Sequence, residues 1–311
     1  MKVLLPGSAG YIGPVVRELL EMKGFEVIGY DKLLYGGSAE IVADIRDVDK
    51  MIVAIDSVDA VVHLAGLSMD LLADMEPHHT WDINYLANKN IADLMKNTGK
   101  RIIYASSGSV YGVQEGTSKE DSSLRPLTPY AKSKALSEEL FLQPNIDSIC
   151  FRFATAYGMA PNPRLDTVAN HMIATSYFEN KIVVNGSSRC RAILHVKDIA
   201  RGILMALEGK PRHRVYNLGS DNQNFRIGDL GALIHDQIPS SELIIDDSDD
   251  KDKRSYVIGY GRVKKDFGFQ PVYTVEDAVF ELYDAFKSGK IKELNQQSCY
   301  RVRSLKENGS L

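Results

Sequence analysis

Residues 2–13 read KVLLPGSAGYIG and predict the start of an α/β fold. The run KVLL is typical of a buried strand, and the following IGPVVRELLEMKG has the apolar spacing of a helix. Between them stand Gly7, Gly10 and Gly13. Glycines there permit a tight turn and let a pyrophosphate approach the backbone N–H groups at the helix N-terminus. The alternative is a plain tight turn with close packing of the strand against the helix.

A second feature, Asp31, favours the phosphate-binding interpretation. It closes the next apolar run, EVIGYD, eighteen residues after Gly13. A carboxylate there can accept both ribose hydroxyls of an adenine dinucleotide and repels a 2′-phosphate. We therefore expect NAD in preference to NADP, although the neighbouring Lys32 weakens that preference. Taken alone, Asp31 could instead cap a loop.

Strand-like and helix-like segments alternate through the first half of the chain. Such alternation needs crossover connections, which indicates a parallel sheet covered on both faces. After residue 157 the alternation loosens, and a smaller C-terminal α/β lobe is expected. We assign residues 1–156 and 192–218 to the sheet domain, and residues 157–191 and 219–311 to the lobe. The predicted strands of the first half are KVLL, EVIGYD, AEIVADI, DAVVHLAG, RIIYASS and DSICFRFA.

Composition excludes several classes of protein. The chain has 311 residues, 44% hydrophobic and 25% charged, with a net charge of −4, so no basic surface argues for nucleic acid or an acidic membrane. Three widely spaced cysteines (Cys150, Cys190 and Cys299) predict reduced thiols and no metal site. The first apolar run is too short for a signal peptide, and no run approaches the length of a transmembrane helix. We expect a cytoplasmic protein.

Residues 129–140, PYAKSKALSEEL, hold the best candidate for a catalytic pair. Tyr130 and Lys134 are four positions apart, so they share one face of a predicted helix. A free phenol has a pKa of about 10, but an ammonium group and a positive nicotinamide ring both favour the phenolate. A decrease of ~3 units corresponds to roughly 4 kcal/mol and would make Tyr130 a general base. The alternative is a surface pair on an amphipathic helix.

The spacing GxxGxxG, with YxxxK, resembles the extended short-chain dehydrogenase/reductase family of nucleotide-sugar epimerases and dehydratases, such as UDP-glucose 4-epimerase. The segments ADIRD (43–47), HLAG (63–66) and YASSGSVYG (104–112) match the family, with Pro6 where threonine is usual and Gly66 where alanine is usual. The resemblance implies a Rossmann-type doubly wound parallel sheet and NAD. The cofactor-binding residues that it implies are Gly7, Gly10, Tyr11, Ile12, Gly13, Asp31, Asp44, Ile45, Leu64, Ala65, Gly66, Asn84, Tyr130 and Lys134.

The same resemblance assigns a third catalytic residue, Ser107, which in the family hydrogen-bonds the reacting oxygen and helps to pass its proton to Tyr130. The alternative is a strand-end hydroxyl that caps the following loop, a role for which Ser106 is the better candidate. Dehydratases of the family carry an Asp–Glu pair two residues later. Here those positions hold Ser109 and Val110, which disfavours a 4,6-dehydratase.

The resemblance also implies a site for the pyrophosphate of a nucleoside diphosphate sugar, because arginines bind such groups with planar, multidentate donors. The segment SRCRAILHVKDIA assigns Arg191 to it and DKRSYVIG assigns Arg254, the alternative being two surface arginines. Asp198 is predicted to be a helix N-cap. The predicted substrate-binding residues are Ser107, Ser109, Tyr157, Asn162, Arg191 and Arg254.

The pattern R-x-D-x-x-x-N, formed by Arg164, Asp166 and Asn170, resembles a subgroup of capsule and lipopolysaccharide sugar enzymes.

The leading hypothesis is an NAD-dependent nucleotide-sugar epimerase that acts at C4 through a transient 4-keto-sugar. The alternative is a nucleotide-sugar, for example heptose, 4-dehydrogenase or reductase with exchangeable NAD(H). A non-enzymatic NAD-binding sensor ranks last, because it predicts a damaged catalytic set. The family usually forms homodimers through the helix after residue 77 and the helix of Tyr130.

Overall fold

The computed structural model describes residues 1–68, 70–248, 255–294, 296, 299 and 300, apart from the side chains of residues 71 and 72. No helix in that part of the chain is long and apolar enough to cross a membrane. The strands are β1 Lys2–Pro6, β2 Glu26–Asp31, β3 Ile41–Val42, β4 Ala60–His63, β5 Arg101–Ser107, β6 Thr117–Ser118, β7 Asp147–Phe153, β8 Thr155–Tyr157, β9 Lys181–Val184, β10 Cys190–His195, β11 Val215–Leu218, β12 Asn224–Arg226, β13 Glu242–Ile245 and β14 Val257–Ile258.

Helices connect most of these strands. They are α1 Gly13–Met22, α2 Val48–Asp56, α3 Asp70–Met75, α4 Pro77–Trp81, α5 Ala87–Met95, α6 Pro129–Phe141, α7 Val168–Phe178, α8 Val196–Glu208, α9 Ile227–Gln237, α10 Gly261–Phe267 and α11 Val275–Lys287. A turn of π-helix, Asp82–Leu86, joins α4 to α5, so the long predicted helix is continuous but locally widened.

Seven parallel strands form the large sheet, in the order β11-β7-β5-β4-β1-β2-β3. The order reverses between β1 and β4, and ligands of such sheets bind outside the carboxyl ends of the strands at that point. This arrangement confirms the predicted doubly wound Rossmann-type sheet. The predicted strand AEIVADI is shorter than expected, because only two of its residues pair with β2.

A smaller α/β lobe lies C-terminal to the sheet, as predicted for the fold class. Strands β9 and β13 pair in parallel, and their apolar side chains share a core with α7, α9 and α11 through residues such as Ile182, Leu230 and Leu282. Strand β11 returns to the large sheet beside β7. Tyr260 and Phe269 also pack into the core of the large sheet, although the sequence places that stretch in the lobe. The exact division into domains stays a prediction.

The helix α8 starts differently from the prediction. Its N-cap is His195, whose Nδ1 accepts a hydrogen bond from the Lys197 N–H at 3.3 Å, so the assignment of Asp198 as N-cap was wrong. The buried Asp198 carboxylate instead accepts hydrogen bonds from the backbone of Val272 and Tyr273, at 2.9–3.1 Å. Asp198 therefore ties α8 to the segment before α11.

Candidate active site

In the glycine turn after β1, other parts of the backbone approach Gly7 and Gly13 more closely than a side chain would allow. Gly7 has φ of +90°, and a Cβ on it would lie 2.6 Å from the Ala65 nitrogen. A Cβ on Gly13 would lie 2.3 Å from the Gly7 carbonyl oxygen, so strand and helix could not pack as they do. Ile12, the N-cap of α1, makes no side-chain cap, which leaves N–H groups of the first helical turn for a ligand. The turn therefore fits the pyrophosphate of NAD.

Asp31 supports the glycine turn directly. Its Oδ2 accepts a hydrogen bond from the Ala9 N–H at 3.0 Å, and its Oδ1 accepts one from the Leu33 N–H at 2.7 Å. Each carboxylate oxygen has more than one lone pair, so acceptor capacity remains for a ribose. Asp31 thus stabilises both the glycine turn and the start of the loop after β2, and it also lines the cavity described below.

Asp44 lies at the adenine end of the expected cofactor site. Partial burial opposes ionisation of its carboxyl group, but hydrogen bonds from Arg46 and Lys32 outweigh it and lower the pKa to about 2. Because Lys32 is engaged with Asp44 at 3.2 Å, part of the positive charge beside Asp31 is neutralised. This pairing favours Asp31 as the residue that sets the preference for NAD.

One cavity of about 640 Å³, open to solvent, brings most of the predicted residues together. Asn84, Tyr157 and Asn162 do not line it, and Arg254 lies outside the described residues. The predicted residues that line the cavity are Gly7, Gly10, Tyr11, Ile12, Gly13, Asp31, Asp44, Ile45, Leu64, Ala65, Gly66, Ser107, Ser109, Tyr130, Lys134 and Arg191.

Asn84 and Tyr157 take other positions for clear reasons. The Asn84 amide, in the π-helical turn, is buried and bonds both the N–H and the carbonyl of Leu67 at 2.8 Å, so it positions the loop after β4. Tyr157, at the end of β8, points into the core of the lobe and packs edge-on against His195, with ring centroids 5.2 Å apart. Asn162 bonds the backbone of the cofactor loops, as described below.

Helix α6 and strand β5 place the catalytic candidates side by side. Thr128 caps α6 through the Ala131 N–H at 3.1 Å, and Pro129 starts the helix, which fixes the position of Tyr130 in its first turn. One turn further, the buried Lys134 Nζ donates to the Ala105 carbonyl at 2.7 Å. That ammonium lies 4.9 Å from the centroid of the Tyr104 ring and 5.9 Å from that of Tyr130.

Ser107 is oriented by its neighbour. Its Oγ accepts hydrogen bonds from the Ser109 N–H at 3.2 Å and from the Ser109 hydroxyl at 3.0 Å. A serine oxygen has two acceptor lone pairs and one proton, so only the donor remains. The Ser107 hydroxyl also lowers the pKa of Tyr130. This direction is the one expected of a hydroxyl that keeps its proton available to the phenol oxygen, because such a donor favours the phenolate.

Burial dominates the ionisation of both catalytic candidates. Burial first, and then the Asp70 carboxylate, raise the pKa of Tyr130 to about 12, while Ser107 and Arg164 oppose the increase. Burial also lowers the pKa of Lys134 to about 8, against the opposing effect of Glu138. The expected lowering of the Tyr130 pKa is therefore not produced by the side chains of the chain alone.

A buried ion pair lies one further turn along the same helix face. Glu138 and Arg152 are almost fully buried, and the guanidinium Nη2 lies 2.7 Å from the carboxylate. Ser106 Oγ donates to Glu138, so Ser106 does not cap the loop after β5. Ser107 makes that cap instead, since the Ser109 N–H bonds its hydroxyl. Both serines line the cavity, but successive strand residues face opposite sides, which directs the Ser106 hydroxyl to the buried Glu138 and leaves that of Ser107 on the other side.

The far end of the cavity is rich in arginine. Arg191 is mostly buried and lies over the Tyr256 ring, with 5.5 Å between its Cζ and the ring centroid. Arg189, two residues earlier, lines the same wall and donates to the Asn185 carbonyl at 2.7 Å. Arg164 also lines the cavity, paired with Asp166 at 2.7 Å. Arg164 lies nearer to Tyr130, whose pKa it lowers, so Arg189 and Arg191 are the arginines placed for a diphosphate at this end.

Sequence reasoning missed Arg189, Tyr256 and Asp70 as cavity residues. Arg189 could have been found from its spacing, because side chains two apart in an extended segment share a face. Asp70 follows β4 in a segment without periodicity, so no sequence signal pointed to it. Its carboxylate accepts a hydrogen bond from the Thr128 hydroxyl, which fixes it beside the start of α6.

Comparisons with known proteins agree with this geometry. The chain is 29% identical to a putative UDP-glucose 4-epimerase of Methanocaldococcus jannaschii over 268 residues, 78% of this chain and 87% of that protein. It is 30% identical to a UDP-glucuronate 4-epimerase of Thermodesulfobacterium geofontis over 258 residues, 74% of this chain and 79% of that one.

Solved structures share the fold. A UDP-glucose 4-epimerase of Thermus thermophilus, in complex with NAD, superimposes with a TM-score of 0.80 and 21% identity, covering 92% of this chain and 99% of its own. The profile of the NAD dependent epimerase/dehydratase family matches residues 3–219 of this chain. The predicted resemblance to extended short-chain dehydrogenases/reductases is thereby confirmed, and the protein belongs to the NAD-dependent epimerase/dehydratase family.

Proposed function

We propose that the protein is an NAD-dependent nucleotide-sugar epimerase that inverts C4 through a transient 4-keto-sugar. The observation that carries the proposal is the convergence of Tyr130, Lys134 and Ser107 on the cavity that also contains the glycine turn. In this proposal, Tyr130 takes the proton of the sugar 4-hydroxyl and later returns it. Ser107 donates to the reacting oxygens, and the Lys134 ammonium stabilises the phenolate. Bound NAD would supply the hydride acceptor.

The loop after Ser107 supports epimerisation over elimination of water. Ser109 occupies the place where a dehydratase carboxylate is expected, and its hydroxyl is engaged with Ser107 at 3.0 Å. A hydroxyl has a far higher pKa than a carboxylic acid, so it is a poor general acid or base for expelling a hydroxyl group from the sugar. The relatives named as 4-epimerases point in the same direction.

The substrate class follows from the arginines of the lobe. Arg189 and Arg191 line the same cavity as the catalytic residues, with Arg164 nearer to Tyr130, and their guanidinium groups can hold a pyrophosphate with charge-assisted hydrogen bonds. We therefore propose a nucleoside diphosphate sugar as substrate, in surface-polysaccharide or sugar-nucleotide metabolism. A dehydrogenase or reductase with exchangeable NAD(H) uses the same tyrosine and lysine, and it is the second candidate.

The test is incubation with a panel of UDP-, GDP- and dTDP-linked hexoses and heptoses in the presence of NAD⁺. Isomer formation without net NADH supports the proposal, and Tyr130→Phe is the inactive control. For the sugar that reacts, deuterium at C4 should remain at C4 of the isomer even when unlabelled NADH is added. Accumulation of NADH together with a keto-sugar, or loss of the deuterium into added cofactor, would instead establish the dehydrogenase.

We also propose a homodimer that pairs through residues 77–95 and helix α6. Leu86 and Leu136, in the two segments, are 50% and 36% exposed, and a second copy of the chain would cover them. Sedimentation analysis should give twice the chain mass, and Leu86→Glu should shift the mass towards the monomer. A monomeric wild-type protein would contradict this assembly.

A further inference from the structure

A short segment of the lobe, residues 158–167, crosses from β8 to α7 beside both cofactor loops; it is called the bridging segment below. Within it, Asn162 Nδ2 donates to the Ala9 carbonyl at 2.8 Å and to the Tyr35 carbonyl at 3.3 Å. Ala9 belongs to the glycine turn, and Tyr35 lies in the loop after β2 and lines the cavity. One side chain therefore joins the two loops that flank the expected position of the dinucleotide.

The sequence around Asn162 keeps that amide in place. Pro161 and Pro163 flank it, so φ is fixed at both neighbours and Asn162 itself is restricted to extended conformations. A preorganised backbone loses little conformational entropy when its side chain forms hydrogen bonds. The Ala9 N–H is already held by Asp31, so Asp31 and Asn162 together bond both backbone polar groups of Ala9.

Other contacts fasten the bridging segment at both ends. Tyr11, in the glycine turn, donates its phenol proton to the Gly158 carbonyl at 2.6 Å. Asn170, at the start of α7, accepts from the Gly158 N–H at 2.8 Å and donates to the Tyr11 oxygen at 3.1 Å. Arg164 donates to Ser68 Oγ, in the loop after β4, at 3.2 Å. The segment is thus bonded to three loops of the large sheet.

We propose that the bridging segment is a strap that retains NAD in its cleft between turnovers, and that Asn162 is the positioning residue that fastens it. Asn162 does not line the cavity, so it acts on the cofactor through the Ala9 and Tyr35 carbonyls. The inference rests on the proposed function, because an epimerase needs the same cofactor molecule to take up and return the hydride. A dehydrogenase with exchangeable cofactor needs no such retention.

The test measures release of NADH from the full-length protein without sugar, by its fluorescence after excess NAD⁺ is added. Asn162→Ala and Asn162→Leu both remove the donors, and Leu preserves the side-chain volume. Loss of two hydrogen bonds predicts release about 5- to 30-fold faster in both variants. Asn162→Gln, which keeps an amide donor, should recover part of the retention. Asn222→Ala, an exposed asparagine of the lobe, is the matched control.

The outcomes for retention of the cofactor can be judged independently of which reaction the protein catalyses. An unchanged release rate in both the Ala and Leu variants, or equal acceleration in Asn222→Ala, overturns the strap, whatever sugar the protein isomerises. Acceleration in Ala but not in Leu also overturns the role of the hydrogen bonds, because volume alone would then explain retention. Accelerated release in both variants supports the strap even if the wild-type protein turns out to accumulate NADH with a keto-sugar.

Discussion

Neutralising Asp70 should make Tyr130 a better base at low pH. The Asp70 carboxylate lines the cavity and is held by the Thr128 hydroxyl, and its negative charge raises the pKa of Tyr130 beyond the effect of burial. Asp70→Asn removes that charge while its amide oxygen can still accept from Thr128. Because a nearby anion disfavours the phenolate, the change should lower the pKa of Tyr130.

The size of the decrease in the Tyr130 pKa depends on the position of Asp70, which lines a cavity open to solvent. A charge within about 6 Å changes a pKa by roughly 1–3 units, and exposure to water favours the lower end. A decrease of about 1 unit corresponds to ~1.4 kcal/mol. Well below the midpoint, the phenolate fraction of Tyr130 should therefore rise about tenfold, and kcat/KM should rise with it.

The assay is the pH dependence of kcat/KM, whose rising limb reports the essential base of the enzyme before sugar binds. In Asp70→Asn the limb should move about 1 unit to lower pH. Asp74→Asn removes an exposed carboxylate from the same helix α3 and is the matched control. The effect of the Asp70 charge on Tyr130 would be refuted if the rising limb did not move or moved to higher pH. An equal shift in the Asp74 variant would refute it too.

Three further changes test other parts of the site. Tyr130→Phe should lower kcat/KM about 10²–10⁴-fold while calorimetry shows little change in NAD affinity; a smaller loss would assign the base elsewhere. Asp31→Ala should weaken the preference for NAD over NADP in fluorescence titrations and also lower the thermal midpoint, because the Ala9 N–H loses its acceptor; an unchanged preference would move the ribose contact to another residue. Glu138→Gln should lower the free energy of unfolding, measured in urea, by about 3–5 kcal/mol, because the buried Arg152 loses its counter-ion. The double variant Glu138→Leu with Arg152→Met removes both charges and should recover most of that loss.

The parts of the site that sequence could predict are those set by local backbone geometry. The glycine turn needs a positive φ at Gly7 and close packing at Gly13, and both requirements show directly in the spacing. Tyr130 and Lys134 are four residues apart on α6, so their common face follows from helical periodicity alone. For the same reason the alternation of strands and helices was enough to predict the parallel sheet.

Residues whose direction depends on tertiary packing could not be placed. Tyr157 and Asn162 both follow β7 closely in the chain, yet one points into the core of the lobe and the other to the glycine turn. Nothing local distinguishes Ser106 from Ser107 except which strand face meets the core. Asp198 resembled an N-cap because it stands at the start of a helix, but its partners are more than seventy residues away.

The burial that raises the pKa of Tyr130 also lowers that of Lys134, so a single cause weakens both members of the catalytic pair. To act as a base near pH 7, Tyr130 must have a pKa well below its value of about 12. Ser107 and Arg164 already lower that pKa, and further positive charge beside the phenol would lower it more. Oxidised nicotinamide carries that charge and reduced nicotinamide does not. The phenolate of Tyr130 should thus be favoured when a hydride acceptor is bound, which would couple loss of the proton from the sugar to loss of the hydride.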